Sequence, residues 1–267
     1  MQELISRVKA ALREGRQLPF SAYMSLKEQR IANAPIVKPL LILVLAGVKQ
    51  LGKEDEIVCP TGSFLFLSNT PTIDMRNIPG DEYFAVLIEF EFSDFDQFKS
   101  PRNNDNSHFQ GTIDDALAKT LKQFVEWSVF APRELWRFRR QELLQLLYLS
   151  GHEAVSSIAG HPSLSHRLHE IISEQIADDW SVERLAQRLA ISESTLRRKL
   201  KAEGASIKSL VDRTKLGHGL ALVQTTLEPI GRIAEQCGYQ SQSRFTDKFK
   251  QLFGITPSEL RKTRMPD

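Results

Sequence analysis

The sequence contains few residues of the kinds that build metal sites and disulfide frameworks. Cys59 and Cys237 are the only cysteines among 267 residues, and their wide separation excludes a disulfide framework. The first histidine is His108, so the strand-rich segment that precedes it offers no imidazoles for a metal centre. We therefore expect no bound metal, no cofactor and a reducing cytoplasmic environment.

Long hydrophobic runs and catalytic motifs are also missing. The longest apolar run, PLLILVLAGV, is shorter than the roughly 20 residues that span a bilayer. The first 15 residues, MQELISRVKAALREG, have the pattern of an amphipathic helix and lack the apolar core of a signal peptide. No nucleophile elbow, phosphate-binding loop or dinucleotide motif occurs. These absences favour a cytoplasmic protein that is not an enzyme.

Acidic residues are scarce in the C-terminal part alone. Residues 180–264 carry 16 of the 35 Lys and Arg but only 8 of the 33 Asp and Glu, although the whole chain has a formal charge of +2. The remainder of the chain is therefore net acidic. This asymmetry predicts a polyanionic partner for the C-terminal part.

The pattern of the chain predicts an α+β protein. Short segments rich in Phe, Val and Ile between residues 35 and 92 are separated by the turn sequences GKED, PTG, NTPT and PGDE, which favours a small antiparallel barrel or sandwich. After the polar stretch SPRNNDNSH the period becomes helical, with Thr112 as the predicted cap of one helix and Pro132 in the first turn of the next. About seven further helices are predicted from Leu164 onwards. We predict a barrel domain at 1–111, a helical linker and dimerisation region at 112–162, and an all-α domain at 163–267.

A helix pair in this last domain is repeated. The segments WSVERLAQRLAISESTLRRKLKAEG and IGRIAEQCGYQSQSRFTDKFKQLFG share an apolar skeleton at separations of 48 or 49 residues. The matched positions are Ala186 and Ala234, Ile191 and Tyr239, Leu196 and Phe245, and Leu200 and Phe249. Repetition of a buried skeleton indicates that both pairs serve the same purpose.

The second helix of each pair presents polar residues opposite its apolar side. With Ser192 and Ser241 as predicted caps, the exposed positions are Ser194, Arg197, Arg198 and Lys201 in the first copy and Gln242, Ser243, Arg244, Asp247 and Lys248 in the second. Arginine pairs bidentately with guanine in the major groove, and lysine reaches base or phosphate. A solvated helix face is the alternative for either copy alone, but two copies favour DNA binding.

The longest part of the repeat, IGRIAEQCGYQSQSRFTDKFKQLFGITPSELRK, is similar to the signature of AraC/XylS-type transcriptional regulators. The resemblance extends over residues 164–262 and implies two recognition helices, held by a connecting helix, in successive major grooves of double-stranded promoter DNA. Asp247 departs from the pattern, which usually has a basic residue there, so we expect it to accept from cytosine or to pair with Arg244 or Lys248. The sequence KLGHG at 215–219 also departs: Gly219 is expected to permit close packing, whereas Gly217 predicts a flexible connecting helix.

The N-terminal pattern, including PTGSFLFLS and YFAVLIEF, resembles the cupin-like sensor domain of the same family. This resemblance implies a small-molecule effector, a homodimer formed by the barrel and central helices, and RNA polymerase as a partner. Phe64, Phe66, Tyr83, Phe84 and Phe90 are the predicted lining of an effector cavity, with plain core packing as the alternative. The sequence thus predicts a DNA-binding transcription regulator that acts as an activator. A DNA-modifying or repair protein and a protein-binding adaptor are the alternatives.

Overall fold

The computed structural model describes residues 1–54, 56–69, 72–98, 107–159 and 162–265. Parts of three predicted turns or loops, at residues 55, 70–71 and 100–106, lie outside the described residues. The predicted α+β architecture is confirmed, with antiparallel sheets in the N-terminal part and helices in the C-terminal part. Within the described ranges, no helix is long and apolar enough to cross a membrane.

Nine strands form two antiparallel sheets in the described part of the chain. The first sheet has the order β1-β8-β3-β6-β9 and the second has the order β2-β7-β4-β5. The strand bounds are β1 Ser21–Ser25, β2 Gln29–Ala34, β3 Leu40–Ala46, β4 Val48–Leu51, β5 Ile57–Pro60, β6 Ser63–Leu67, β7 Ile73–Ile78, β8 Tyr83–Glu89 and β9 His108–Thr112.

The central strand β3 explains the long apolar run of the sequence. Leu41, Leu43 and Leu45 point to a core shared with the N-terminal helices, whereas the alternate residues of the strand point to the core between the two sheets. Both faces of the strand are thus covered by other elements. A strand buried on both faces is apolar at every position and lacks the alternation of apolar and polar residues. The run breaks at Gly47, whose φ of +76° turns the chain and whose Cβ, if present, would lie 2.6 Å from the carbonyl oxygen of Ile78.

Ten α-helices lie in the described part of the chain. Their bounds are α1 Gln2–Arg13, α2 Asp115–Ser128, α3 Trp136–Leu149, α4 Leu164–Glu174, α5 Val182–Arg188, α6 Glu193–Ala202, α7 Ile207–Thr225, α8 Ile230–Gln236, α9 Gln242–Phe253 and α10 Pro257–Lys262. The seven helices from α4 onwards agree with the predicted number.

The start of α10 shows why that helix is easily predicted. The side chain of Thr256 accepts from the backbone nitrogen of Glu259, and the Glu259 carboxylate accepts in return from the backbone nitrogen of Thr256.

Two predicted helix starts were wrong. Thr112 ends β9, because its backbone continues the pairing with β6. Asp114 caps α2 instead, and its carboxylate accepts from the backbone nitrogen of Leu117 at 2.8 Å. Pro132 precedes a short 3₁₀ turn, so α3 begins only at Trp136.

The barrel-like domain and the helical domain pack against each other through β2. Ile31 and Ala34 belong to the same apolar cluster as Phe249 of α9. The backbone nitrogen of Leu26 donates to the carbonyl of Thr263 at 2.8 Å, and the Asn33 amide donates to the carbonyl of Leu252 at 3.0 Å. The helical domain is thus docked on one sheet of its neighbour.

Candidate nucleic-acid interface

The two repeated segments fold as two helix-turn-helix pairs, α5–α6 and α8–α9. In both turns a residue has positive φ, +53° at Ala190 and +74° at Gly238. The backbone nitrogen of the next residue donates to the carbonyl of Ala186 in the first pair and of Ala234 in the second, at 3.1 and 2.9 Å. The same hydrogen bond therefore closes both turns, 48 residues apart.

The repeated apolar skeleton forms the cores of the pairs. Leu196 and Leu200 are buried with Leu185 and Ala186 in the first, and Phe245 and Phe249 are buried in the second. The remaining matched position, Ile191 and Tyr239, is half-buried in both. Burial of one side fixes which side of α6 and of α9 faces outward.

The outer side of α6 carries the polar residues predicted from the sequence. Ser194, Arg197, Arg198 and Lys201 are all exposed. Ser192 caps the helix, and its hydroxyl accepts from the backbone nitrogen of Thr195 at 3.2 Å. Arg197 lies 3.8 Å from Glu193, a weak surface ion pair that a DNA base or phosphate can replace at small cost.

The outer side of α9 is similar at its N-terminal end but not further along. Ser241 caps the helix, and Gln242, Ser243, Arg244 and Asp247 are exposed. Lys248 is half-buried, and its ammonium donates to the Asp212 carboxylate of α7 at 2.9 Å. The structure pairs Lys248 with Asp212 rather than with Asp247, and the contact of Lys248 with DNA stays a prediction.

Both glycines of α7 have packing roles, as predicted for Gly219 but not for Gly217, and α7 is one continuous helix of 19 residues. A Cβ at Gly219 would lie 2.8 Å from the ring of Phe245, so the glycine lets α9 approach α7 closely. A Cβ at Gly217 would lie 3.0 Å from the ring of Pro35 in the neighbouring domain. Small residues are thus required on two sides of α7.

The aromatic residues predicted to line an effector cavity are core residues: Phe64, Phe66, Phe84 and Phe90 pack between the first sheet and the helices, and Tyr83 packs between the two sheets. Phe64, Phe66, Tyr83, Phe84 and Phe90 are all buried. The Phe66 ring lies 5.2 Å from that of Phe90 and 5.3 Å from that of Phe109, which is ordinary core packing. Phe84 also lines a pocket beside α1, and the assignment of these residues to an effector stays a prediction.

A cleft of about 250 Å³ lies between the two domains. Side chains from both domains line it, among them Tyr23, Lys38, Lys49, His169, His218 and Gln224. Burial lowers the pKa of His169 to about 4, which keeps its imidazole neutral at pH 7. Desolvation also raises the pKa of Glu89, a further lining residue.

Lys49 is the unusual residue of this cleft. It is 3% exposed, and its ammonium donates to the neutral amide oxygen of Asn77 at 2.9 Å. Burial lowers its pKa to about 8, so the group remains mainly cationic at pH 7. Sequence reasoning missed Lys49 because a single lysine in the short segment VKQL is typical of a solvated strand face.

Comparison with known proteins identifies the class of the helical domain. Residues 185–263 match a family described as helix-turn-helix domain. The transcriptional regulator GadX of Escherichia coli is 34% identical over 100 residues, which cover 38% of this chain and 36% of that protein. The regulator AdiY of the same species is 30% identical over 94 residues, which cover 35% of this chain and 37% of AdiY. The chain thus matches about a third of the length of these curated relatives.

The C-terminal segment is therefore a helix-turn-helix domain of DNA-binding regulators. More particularly, it is an AraC-type domain, which confirms the resemblance predicted from the sequence. The similarities indicate no enzyme family.

The arrangement of the whole chain is similar to that of ToxT from Vibrio cholerae. A crystal structure of ToxT bound to an unsaturated fatty acid matches with a TM-score of 0.67 at 14% identity, and the match covers 94% of this chain and 98% of ToxT. At this identity the likeness concerns the fold, a barrel-like domain followed by a helical domain.

Proposed function

We propose that this protein is a cytoplasmic, sequence-specific DNA-binding transcription regulator, an activator whose DNA binding is controlled by a small acidic effector. The observation that carries the DNA-binding part is the pair of exposed polar faces on α6 and α9, built on matching buried skeletons. Each face combines arginine with hydroxyl or amide side chains, which is the chemistry that reads base edges.

Affinity and specificity come from different residues in this proposal. The basic side chains of residues 180–264 neutralise phosphates, which gives strength without sequence preference. The polar residues at the starts of α6 and α9 contact bases and select the sequence.

Selection of bound duplexes from a random library by the full chain tests the proposal. We expect enrichment of one motif with two contacted segments, and binding that weakens steeply with salt. Binding without sequence preference, or no binding, contradicts it. The adaptor alternative predicts a protein partner and no enriched duplex, and the DNA-modifying alternative predicts altered DNA after incubation.

Replacement of Arg197 tests base reading by α6. We expect Arg197→Ala to weaken binding to the selected duplex by about 1–3 kcal/mol and to relax base choice at one position. Repeating the library selection with the variant measures both effects. Lys208→Met, in which an exposed lysine of α7 is lost, is the control and should leave base choice unchanged. Unaltered preferences in Arg197→Ala would remove this residue from the base contacts.

The effector part of the proposal is supported by the interdomain cleft. Lys38, the second lysine of the cleft, donates to the Glu91 carboxylate at 2.7 Å, so its charge is already balanced. Lys49 has only a neutral acceptor among its described hydrogen bonds, and a bound carboxylate would supply the missing negative charge. ToxT structures contain an unsaturated fatty acid and a naphthalenyl butenoic acid, both of them carboxylic acids. An amphipathic carboxylic acid is the class of effector proposed for this chain.

A thermal unfolding series with monomeric oleate tests this effector class. At 100 times its dissociation constant a ligand stabilises the folded state by about 2.7 kcal/mol. We expect oleate to stabilise the wild-type chain, a fatty alcohol of equal length to do so less, and Lys49→Met to abolish the difference between the two. Lys53→Met, which removes an exposed lysine of the same hairpin, is the matched control. Equal responses of wild type and Lys49→Met would exclude Lys49 as the anion partner.

Homodimer formation and contact with RNA polymerase complete the proposal. Around α2 and α3 large apolar side chains are exposed, among them Phe130 at 72%, Phe138 at 62% and Leu149 at 74%. Several large apolar side chains exposed near one pair of helices favour a protein interface in this region. We assign it to a second copy of the chain, as the sequence analysis predicted for this region.

A further inference from the structure

The two helix-turn-helix units touch each other directly, apart from their connection through α7. We call α4–α6 the first head and α8–α10 the second head. The loop before α5 reaches the turn between α8 and α9, where a Cβ on Gly238 would lie 2.4 Å from the carbonyl oxygen of Ala177. Only glycine allows this approach, and its φ of +74° is also a conformation that other residues rarely adopt.

Lys215 of α7 also lies at the contact between the two heads. It is 9% exposed, and its ammonium donates to the carbonyl oxygen of Asp178 at 2.8 Å. The same nitrogen would lie 2.8 Å from a Cβ at Gly238, so it is packed against the turn of the second head. One side chain of the connecting helix therefore contacts both heads at the point where they meet.

The loop that accepts this hydrogen bond is held firmly within the first head. Arg184 of α5 pairs with the Asp178 carboxylate at 2.6 Å and stacks its guanidinium 4.2 Å from the centre of the Trp180 ring. The Trp180 indole donates to the carbonyl of Gln175 at 3.1 Å. Because the loop is fixed to α5, a displacement of Lys215 or Gly238 is transmitted to the first head as a whole.

The turn at Gly238 has an equally direct connection to the recognition helix of the second head. Ser241, the cap of α9, follows after three residues, and the first exposed polar residues of α9 follow at once. The 19 residues of α7 rise by about 28 Å at 1.5 Å per residue, which is of the order of the 34–36 Å between successive major grooves on one face of DNA. The groove spacing that the two heads can reach on DNA therefore depends on how they are held relative to each other.

We propose that Lys215 is a positioning residue for DNA recognition. Its bond to Asp178, beside the Gly238 turn, fixes the separation and rotation of α6 and α9, and so restricts binding to duplexes with one spacing between the two contacted segments. This inference rests on the proposed function.

A spacing series tests the inference with the full chain. The probe is the selected duplex with one base pair inserted or removed between its two contacted segments, which rotates one segment by about 35° relative to the other. We expect the wild-type chain to lose about 10-fold or more in affinity for either change, the size of a mismatch penalty. In Lys215→Met, which keeps length and loses the donor, the loss should fall below about threefold, and Lys215→Arg should restore the wild-type profile.

Two further measurements separate positioning from mere stabilisation. Lys208→Met, on the same helix but exposed, should keep the wild-type spacing profile. Spin labels on Lys199→Cys and Lys250→Cys measure the distance between the heads without DNA, since the native Cys59 and Cys237 are buried. We expect a narrow distance distribution in the wild type and a broader one in Lys215→Met. If Lys215→Met fails to fold, Lys215→Leu, which also lacks a donor, takes its place in both measurements.

The outcomes distinguish this inference from the proposed function. The positioning role would be overturned if the wild type and Lys215→Met lost the same factor in affinity for the altered spacings, or if their distance distributions were equal. This holds even if DNA binding is intact. A wild-type chain that selects no duplex would overturn the proposed function, and the spin-label distances would still decide whether Lys215 fixes the heads.

Discussion

Phe249→Ala is expected to lower the free energy of unfolding by about 3–5 kcal/mol, the usual cost of deleting a buried phenylalanine ring. Phe249 is 0% exposed, and its ring lies 5.5 Å from that of Phe245 and 4.7 Å from that of Phe253. The same cluster includes Ile31 and Ala34 of β2. The cavity would therefore weaken both the second head and its attachment to the barrel-like domain. Urea unfolding of the full chain measures the loss.

Leu227→Ala is the matched control for this prediction. Leu227 belongs to the same domain but is 72% exposed, so its truncation removes apolar surface without leaving a cavity. We expect a change within about 0.5 kcal/mol, as for most surface substitutions. If both variants lost the same stability, the aromatic cluster would not be the core of the second head. A biphasic transition in Phe249→Ala alone would show that the domains had become uncoupled.

The parts of the fold that are predictable from sequence are those set by local pattern. The repeated skeleton of Leu196 and Leu200 with Phe245 and Phe249 places one side of each recognition helix in a core, and their opposite sides follow from the helical period. The caps Ser192, Ser241 and Thr256 are local as well, because each side chain accepts from a backbone nitrogen three residues later.

The parts that are not predictable depend on contacts distant in sequence. Strand β2 carries the mixed sequence QRIANA, because it is covered by the helical domain rather than by the barrel core. Lys248 has the helical spacing of a DNA contact, and only the fold brings Asp212 to 2.9 Å from it. From the sequence, Gly217 is expected only to weaken the helix. The structure shows that Pro35 of the other domain packs against it.

The interdomain cleft shows the same limitation for ligand binding. The aromatic residues that suggest an apolar cavity, such as Phe66 and Phe90, pack on each other between the first sheet and the helices. The unbalanced cation Lys49 lies instead where the two domains meet. Strands rich in aromatic residues predict a buried core. The position of a cleft, in contrast, depends on how two domains pack against each other, which the local sequence does not show.

The combined variant Arg198→Ala, Arg244→Ala is expected to have the largest effect on DNA binding. The two residues are exposed on α6 and on α9, one in each head. Each single loss should cost about 1–3 kcal/mol. Because the residues belong to separate heads and share no described partner, their costs should add, giving about 2–6 kcal/mol, or roughly 30-fold to 10⁴-fold in affinity. Titration of the selected duplex at fixed salt measures the three variants.

A pair with equal charge loss, Arg13→Ala with Arg16→Ala, separates reading of DNA from general attraction. Both arginines are exposed but lie in the barrel-like domain. If DNA binding depended on net charge alone, the two double variants would weaken it equally, and the salt dependence would change equally. If α6 and α9 read bases, only the Arg198 and Arg244 pair should lose preference for the selected duplex over random competitor. A head that had lost its arginine would still be held near the DNA by the other head, because α7 and the contact at Lys215 connect them, so each single variant should retain a part of that preference.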